Sequence, residues 1–183
     1  MKNVKIVLGG NAGSGKSTVG KMLAQKLGIP FVSVGDICRV RAVVMGMDIN
    51  RFQEYLKSNP DFDRAMDAYI VQHSRSLGCY VLDYRLGFHF LPWAFKVLLK
   101  VSDEKAAQRI AGRQAQGEGF LAATVEQNTL LLNNMNVLMR QRFIELYGAD
   151  FTDESRYDLV IETDNLTAGE IAEKTLYNWK NRK

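Results

Sequence analysis

Residues 10 to 17 read Gly10, Asn11, Ala12, Gly13, Ser14, Gly15, Lys16 and Ser17, which satisfies the pattern GxxxxGK(S/T). A stretch of this kind has no side chains with which to build a core. Its glycines let backbone amides converge on phosphate oxygens, and a helix opening directly behind it adds a favourable dipole. In that setting Lys16 reaches the β and γ phosphates of a nucleoside triphosphate and the Ser17 hydroxyl joins the shell of a Mg2+ ion, with Thr18 ending the phosphate-binding stretch. A glycine-rich turn without a ligand is the alternative, but a chance match is expected in well under ~1% of chains of this length.

Other charged residues fall where a second half of such a reaction needs them. Asp83 closes the apolar run "CYVLD". An acid at the end of a buried strand beside a phosphate loop organises Mg2+ and its waters, or else it caps the next turn. Asp36 and Arg39, in "VGDICR", follow another apolar run; Arg39 can bind a second anion at a strand's carboxyl end, or Asp36 is a helix cap and Arg39 a surface residue. Arg85 lies two residues beyond Asp83 and points into the same crevice. Arg109 and Arg113, in "RIAGR", are four apart and share a helical face. They either clamp a phosphoryl group in flight or form a solvated surface pair. His73 falls on the apolar side of its helix and reads as a packed core histidine.

The elements that must position these residues are legible as an alternation. "VKIVL", "PFVSV", "GCYVLDY", "FKVLLKV" and "YDLVIET" are short apolar or β-branched runs, the pattern of strands covered on both faces. Helical patterns lie between them. Val19, Met22, Leu23 and Leu27 share a face before Gly28 and Pro30; Ser102 caps a helix running to about Gln116; Thr167 to Glu170 is a capping box. From Asp61 to Leu77, the apolar side carries Phe62, Met66, Tyr69, Ile70 and Leu77, and the other side carries Asp63, Arg64 and Asp67. Strands alternating with helices predict a parallel sheet in a three-layer α/β domain. Two stretches fit that core poorly, Arg41 to Pro60 and Phe120 to Tyr147, and both read as excursions over the top of the sheet.

A chain of 183 residues suits one domain, here residues 1–183. Its charge of +4 is spread rather than gathered, so it fits a pocket for a few phosphates at least as well as a nucleic-acid surface. The two cysteines, Cys38 and Cys79, match no metal-ligand spacing and are expected to be reduced thiols. With no membrane-length apolar run and no signal-peptide pattern, the expected location is the cytoplasm.

Taken in order, "GSGKSTVGKMLAQKLGIPFVSVGDICR", "GMDINRFQEYLKSNPDFDRAMD", "VLDYRL", "RIAGR", "RQRFIELYGAD" and "YDLVIET" resemble the nucleoside monophosphate kinases, most closely the short archaeal-type cytidylate kinases. The resemblance implies a P-loop NTPase fold with a five-stranded parallel sheet, a lobe over about 41–70 that closes on the monophosphate, and a lid over about 114–142 that closes on ATP. It implies ATP as donor with Mg2+, CMP or dCMP as acceptor, Arg39 and Arg85 on the acceptor phosphate with Asp36 in the same wall, and Arg109 and Arg113 on the donor phosphates. Asp63, Arg64 and Asp67 occupy the segment near the acceptor base.

The chain departs from the family in two places. The expected "EGR" is "DYR", which sets Tyr84 beside the acceptor phosphate, where it can reshape that pocket. The lid lacks its usual arginine- and glutamate-rich run, leaving Arg140 and Arg142 as basic candidates beside Met135, Val137, Leu138 and Met139. That apolar segment packs, or meets a partner or second subunit. Transfer to another monophosphate or small phosphorylated acceptor, and a nucleotide-binding regulatory module that has lost transfer, are the competing functions; nucleic acid is not an expected partner.

Overall fold

The computed structural model describes residues 4–115 and 124–182. Five parallel strands run in the order β2-β3-β1-β4-β5: β1 is Lys5–Gly9, β2 Phe31–Ser33, β3 Tyr80–Asp83, β4 Phe95–Lys100 and β5 Leu159–Glu162. All five apolar runs are strands, and the fold is the expected α/β architecture. The helices are α1 Lys16–Leu27, α2 Val34–Val44, α3 Ile49–Ser58, α4 Pro60–Ser76, α5 Gly87–Phe90, α6 Asp103–Ala115, α7 Val125–Tyr147 and α8 Ala168–Lys180.

Side-chain alternation along the strands sends residues to two separate cores. Ile6 and Leu8 of β1, Val81 of β3, and Val97 and Leu99 of β4 pack with Val19 and Leu23 of α1 and Ile171 and Leu176 of α8. On the opposite face Val7, Tyr80, Leu82 and Tyr84 pack with Ile70 of α4, Phe88 of α5, Phe143 of α7 and Phe151. The pleat therefore decides which residues near the end of β3 serve which face. Tyr80, Leu82 and Tyr84 go to the α4–α7 side, and Val81 and Asp83 go to the α1 side.

The excursion after β2 has a small core of its own, where Ala42 of α2 meets Phe52 and Leu56 of α3, flanked by Phe62 and Met66 of α4. Helix α7 packs on α6 through Leu132 and Met135 against Ala106 and Ile110, beside Ala12 of the loop. Its outer side leaves Leu130, Leu131, Val137 and Leu138 exposed. Capping is local chemistry: Ser33 accepts from the Asp36 amide at 3.2 Å, Ser102 from Lys105 at 3.3 Å, and Thr167 with Glu170 forms a capping box.

The structure corrects the reading of α4. Asp63 and Asp67 are buried, whereas Tyr69 is 55% exposed. A helical face alone assigned the acids to solvent; they turn inward because α7 and the end of β3 bring polar partners to them. His73 is exposed rather than packed, its Nδ1 lying 3.1 Å from the Tyr69 carbonyl. The cap of α2 is Ser33, not Asp36.

Candidate active site

Loop 10–15 joins β1 to α1 at the carboxyl end of the sheet. Gly10, Gly13 and Gly15 hold φ of 130°, 81° and 92°, and left-handed residues interleaved with ordinary ones form the backbone concavity that gathers N–H groups on an anion. Space demands glycine as well: a Cβ on Gly10 would lie 2.2 Å from the Leu99 carbonyl oxygen, and one on Gly13 2.7 Å from the Ala106 Cβ. Lys16 is buried and lies along the loop, donating to the carbonyls of Gly10 at 2.9 Å and Asn11 at 2.7 Å. Ser14 is fully buried, Ala12 touches the α6–α7 cluster, and Thr18 is exposed. The Asn11 side-chain oxygen is buried with no hydrogen-bond partner.

Ser17 donates its hydroxyl hydrogen bond to the Asp83 carboxylate at 2.7 Å. Two hard oxygen ligands at the mouth of a phosphate loop fit Mg2+, which keeps several waters and takes one or two protein ligands with substrate phosphates. Among the described residues no group of three or more His, Cys, Asp or Glu side chains forms a closed metal cage. The donor set thus suits an ion that arrives with a nucleotide. Asp83 turns to Ser17 rather than to the next turn, as the pleat of β3 requires.

Arg85, half-buried, donates from Nε to the Gly10 carbonyl at 3.1 Å, and its Nη1 meets the Met139 thioether of α7. Burial disfavours its charge, Asp83 supports it, and the nearby Arg142 opposes it. Arg39 and Asp36 pair with each other on the exposed face of α2.

Arg142 is a buried residue of α7, 3.1 Å from Asp63 through Nε and 3.0 Å from Gln53 Oε1 through Nη1. The contact with Asp63 lacks hydrogen-bond alignment, so Arg142 Nε and Asp63 Oδ2 are both left without a hydrogen-bond partner. Burial pushes the Asp63 carboxyl up to about 6, with Arg142 pulling it down and Asp67 pushing it further up. The Cys38 thiol is pushed up to about 11, chiefly by burial, in surroundings that include Arg142, Asp63, Asp67 and Arg39. Asp67 accepts from the Tyr84 hydroxyl at 2.6 Å and the Tyr147 hydroxyl at 2.7 Å. Tyr84, expected beside the acceptor phosphate, is buried, with its ring in the core between β3, α4 and α7 and its hydroxyl on Asp67.

The remaining candidates stand apart from this cluster. Arg109 donates to the Gly13 carbonyl at 3.3 Å, to Thr163 Oγ1 at 3.0 Å and to the Thr163 carbonyl at 2.6 Å, bracing the loop against the end of β5. Arg113 lies on the same helix, but its side chain and residues 116–123 of the expected lid fall outside the described residues. Arg64 pairs with Asp61 on the outside of α4. Arg140 is 51% exposed and pairs with Asp150. Gln53, Tyr147 and Thr163 were not singled out by sequence, and Cys38 was read there only as a reduced thiol without a role. Their only signal was apolar or helical context, which gives a polar side chain no partner.

A phosphate loop, a hydroxyl–carboxylate pair and convergent arginines at the carboxyl ends of a parallel sheet define a P-loop kinase. A family model described as an AAA domain matches residues 6–126. The cytidylate kinase of Pyrobaculum aerophilum is 32% identical over 180 residues, spanning 94% of this chain and 91% of that protein. The cytidylate kinase of Methanosphaera stadtmanae is 32% identical over 162 residues, 87% of this chain and 88% of that one. The chain belongs to the P-loop nucleoside monophosphate kinase family, among relatives of the archaeal cytidylate kinases.

A segment of an S-adenosylmethionine-dependent nucleotide dehydratase from Lacinutrix mariniflava is 44% identical over 177 residues. That match covers 96% of this chain but 36% of the dehydratase, so the chain spans about a third of that relative. In fold, the shikimate kinase of Bacteroides thetaiotaomicron is similar with a TM-score of 0.62 at 16% identity, covering 97% of this chain and 96% of that one. Among the described residues no helix is long and apolar enough to cross a membrane.

Proposed function

We propose that the protein transfers the γ-phosphoryl group of ATP to CMP or dCMP. The observation that carries this reading is the hydrogen bond from Arg85 to Gly10. It sets an arginine suited to an acceptor phosphate against the loop suited to the donor, so that two phosphates meet across one crevice. An oxygen of the acceptor phosphate attacks the γ-phosphorus in line. The new P–O bond forms as the bond to the β,γ-bridging oxygen breaks, and ADP leaves with that oxygen. No strong base is needed, because the attacking phosphate is already anionic; positioning and charge neutralisation supply the catalysis.

Lys16 neutralises the donor phosphates, while Arg39, Arg85 and Arg142 receive the acceptor side with Asp36 in its wall. Arg109 and Arg113 flank the donor. Mg2+, held with the nucleotide by Ser17 and Asp83, supplies further charge neutralisation on the phosphate oxygens. The buried acid Asp63, whose Oδ2 has no hydrogen-bond partner, favours an acceptor base that donates hydrogen bonds, as the amino group of cytosine does; the two oxygens of Asp67 are taken by Tyr84 and Tyr147. Covering of the crevice by α7, whose Met139 touches Arg85, keeps water from competing as acceptor.

The test is diphosphate formation from ATP and Mg2+ with CMP, dCMP, UMP, AMP and GMP. Preference for CMP and dCMP supports the proposal. Binding of ATP with phosphorylation of no monophosphate overturns it in favour of a nucleotide-binding module. A second reading concerns the product's destination, and the 44% identity to part of a nucleotide dehydratase favours it. On this reading the product feeds an enzyme that modifies nucleotides, and the same panel would rank first the base which that enzyme consumes.

A further inference from the structure

Asp67 is the meeting point of three elements. It projects from α4, is buried, and accepts one phenolic hydrogen bond from Tyr84 at 2.6 Å and another from Tyr147 at 2.7 Å. Tyr84 is the first residue beyond β3, and Tyr147 is the last of α7. The two rings are tied to each other through Phe90, which stacks on Tyr84 at 6.3 Å and meets Tyr147 edge-on at 5.0 Å. The Tyr84 carbonyl also accepts from the Gly87 amide at 3.0 Å. Residue 84 is thus held at its ring, its hydroxyl and its backbone.

What residue 84 separates gives this attachment its meaning. On one side is Asp83, aimed by the pleat at Ser17. On the other is Arg85, returned to the Gly10 carbonyl and touching Met139 of α7. One turn earlier on α4, Asp63 meets Arg142 of α7, so α4 and α7 are joined by two polar rungs, of which only the Asp67 rung reaches the strand. A tyrosine that merely filled the core would need its ring and not its hydroxyl. A carboxylate buried there is costly unless its oxygens are bonded, and here each oxygen takes one phenol.

We propose that Tyr84, Asp67 and Tyr147 form a strut that holds the backbone of residues 83 to 85 in the conformation that aims Arg85 at the acceptor phosphate. They are positioning residues, acting through Arg85 and touching no phosphate themselves. The inference rests on the reading of Arg85 as an acceptor ligand. It adds a determinant of acceptor affinity that lies on the opposite face of the sheet from α1, at the position where the family pattern has glycine.

The test uses the full chain with Tyr84→Phe and Tyr147→Phe, which remove one oxygen each and keep the rings, and with Asp67→Asn, which keeps one good acceptor. The readouts are KM for the best acceptor, KM for ATP, kcat and Tm. Each phenylalanine variant is expected to raise the acceptor KM about tenfold, the scale of one lost hydrogen bond to a charged group, and to change the ATP KM less than about twofold. The double variant should raise the acceptor KM by less than the product of the single effects, because the three groups act as one unit. Acceptor and ATP KM rising together, or Tm falling with the acceptor KM unmoved, would overturn the strut and leave a packing role. If Tyr84→Phe does not fold, Tyr147→Phe carries the same prediction from the other end. A wild-type protein that phosphorylates no monophosphate would instead defeat the acceptor reading itself, a result the unmutated control reports separately.

Discussion

The Ser17 hydroxyl donates to the Asp83 carboxylate at 2.7 Å across 66 residues of chain, joining the first turn of α1 to the end of β3. The pair needs the parallel pairing of β1 with β3, in which Leu8 stands beside Asp83. Asp83→Asn keeps the shape and removes the charge. Turnover should fall about 10- to 100-fold at low Mg2+, the usual cost of losing a group that orders a metal's surroundings, and recover in part as Mg2+ is raised. Rates measured over a Mg2+ titration check this, and an unchanged Mg2+ dependence would remove Asp83 from the metal site.

Gly10 and Gly13 are constrained by backbone and by space at once. Gly10→Ala must place a Cβ against the Leu99 carbonyl at a φ that side chains rarely adopt, at a cost of at least about 1–3 kcal/mol. Melting curves with and without ATP should show a lowered Tm and loss of the stabilisation by nucleotide. An alanine variant that still gains stability from ATP would contradict the cradle.

Arg39 sits on α2, where its guanidinium is exposed and pairs with Asp36. Arg39→Ala should raise the acceptor KM about tenfold or more, the loss expected for a charge-assisted contact, with a smaller effect on ATP. Steady-state kinetics with each substrate varied in turn decide it. Equal effects on both substrates would place Arg39 elsewhere in the cycle.

Arg140 and Arg142 are two residues apart on α7 yet belong to different environments. Arg140 is exposed and paired with Asp150; its alanine variant should cost at most about 1 kcal/mol and leave acceptor binding unchanged. Arg142→Ala leaves Asp63 buried without its cation, and the expected loss is about 3–5 kcal/mol. Urea unfolding of the two variants checks the contrast; a larger loss at Arg140 would reverse the assignment.

Asp63 links stability to pH. Burial raises its carboxyl from 3.8 to about 6, so the folded chain holds this proton more tightly than the unfolded chain does. Its contribution is most favourable below pH 3.8, declines as pH rises through the interval to about 6, and is flat above it. The stability of wild type relative to Asp63→Asn should therefore fall across that interval. A difference that is independent of pH would show that Asp63 titrates as an ordinary acid.

The phosphate loop and the strand–helix alternation were legible in the chain because both are local. A loop that binds through backbone needs its glycines at set spacing, and a strand covered on both faces must be apolar at successive positions. For the same reason Lys16, Ser17 and the capping box at Thr167 could be read without knowing what lay opposite them. The lobe and lid arginines were legible only as residue types. Which arginine entered the crevice depended on how α7 crossed α4, and spacing within either helix carries no record of that crossing.

Helical periodicity turned Asp63 and Asp67 outward because, by itself, an acid belongs in water. The folded chain turned them inward because Arg142, Tyr84 and Tyr147 arrive from elements up to 80 residues away and supply the partners that burial demands. Sequence by itself determined a parallel α/β sheet with a phosphate loop directly after its first strand. Only the tertiary structure decided which charges share the crevice, since the free energy of a buried charge is set by its neighbours in space rather than by its neighbours in the chain.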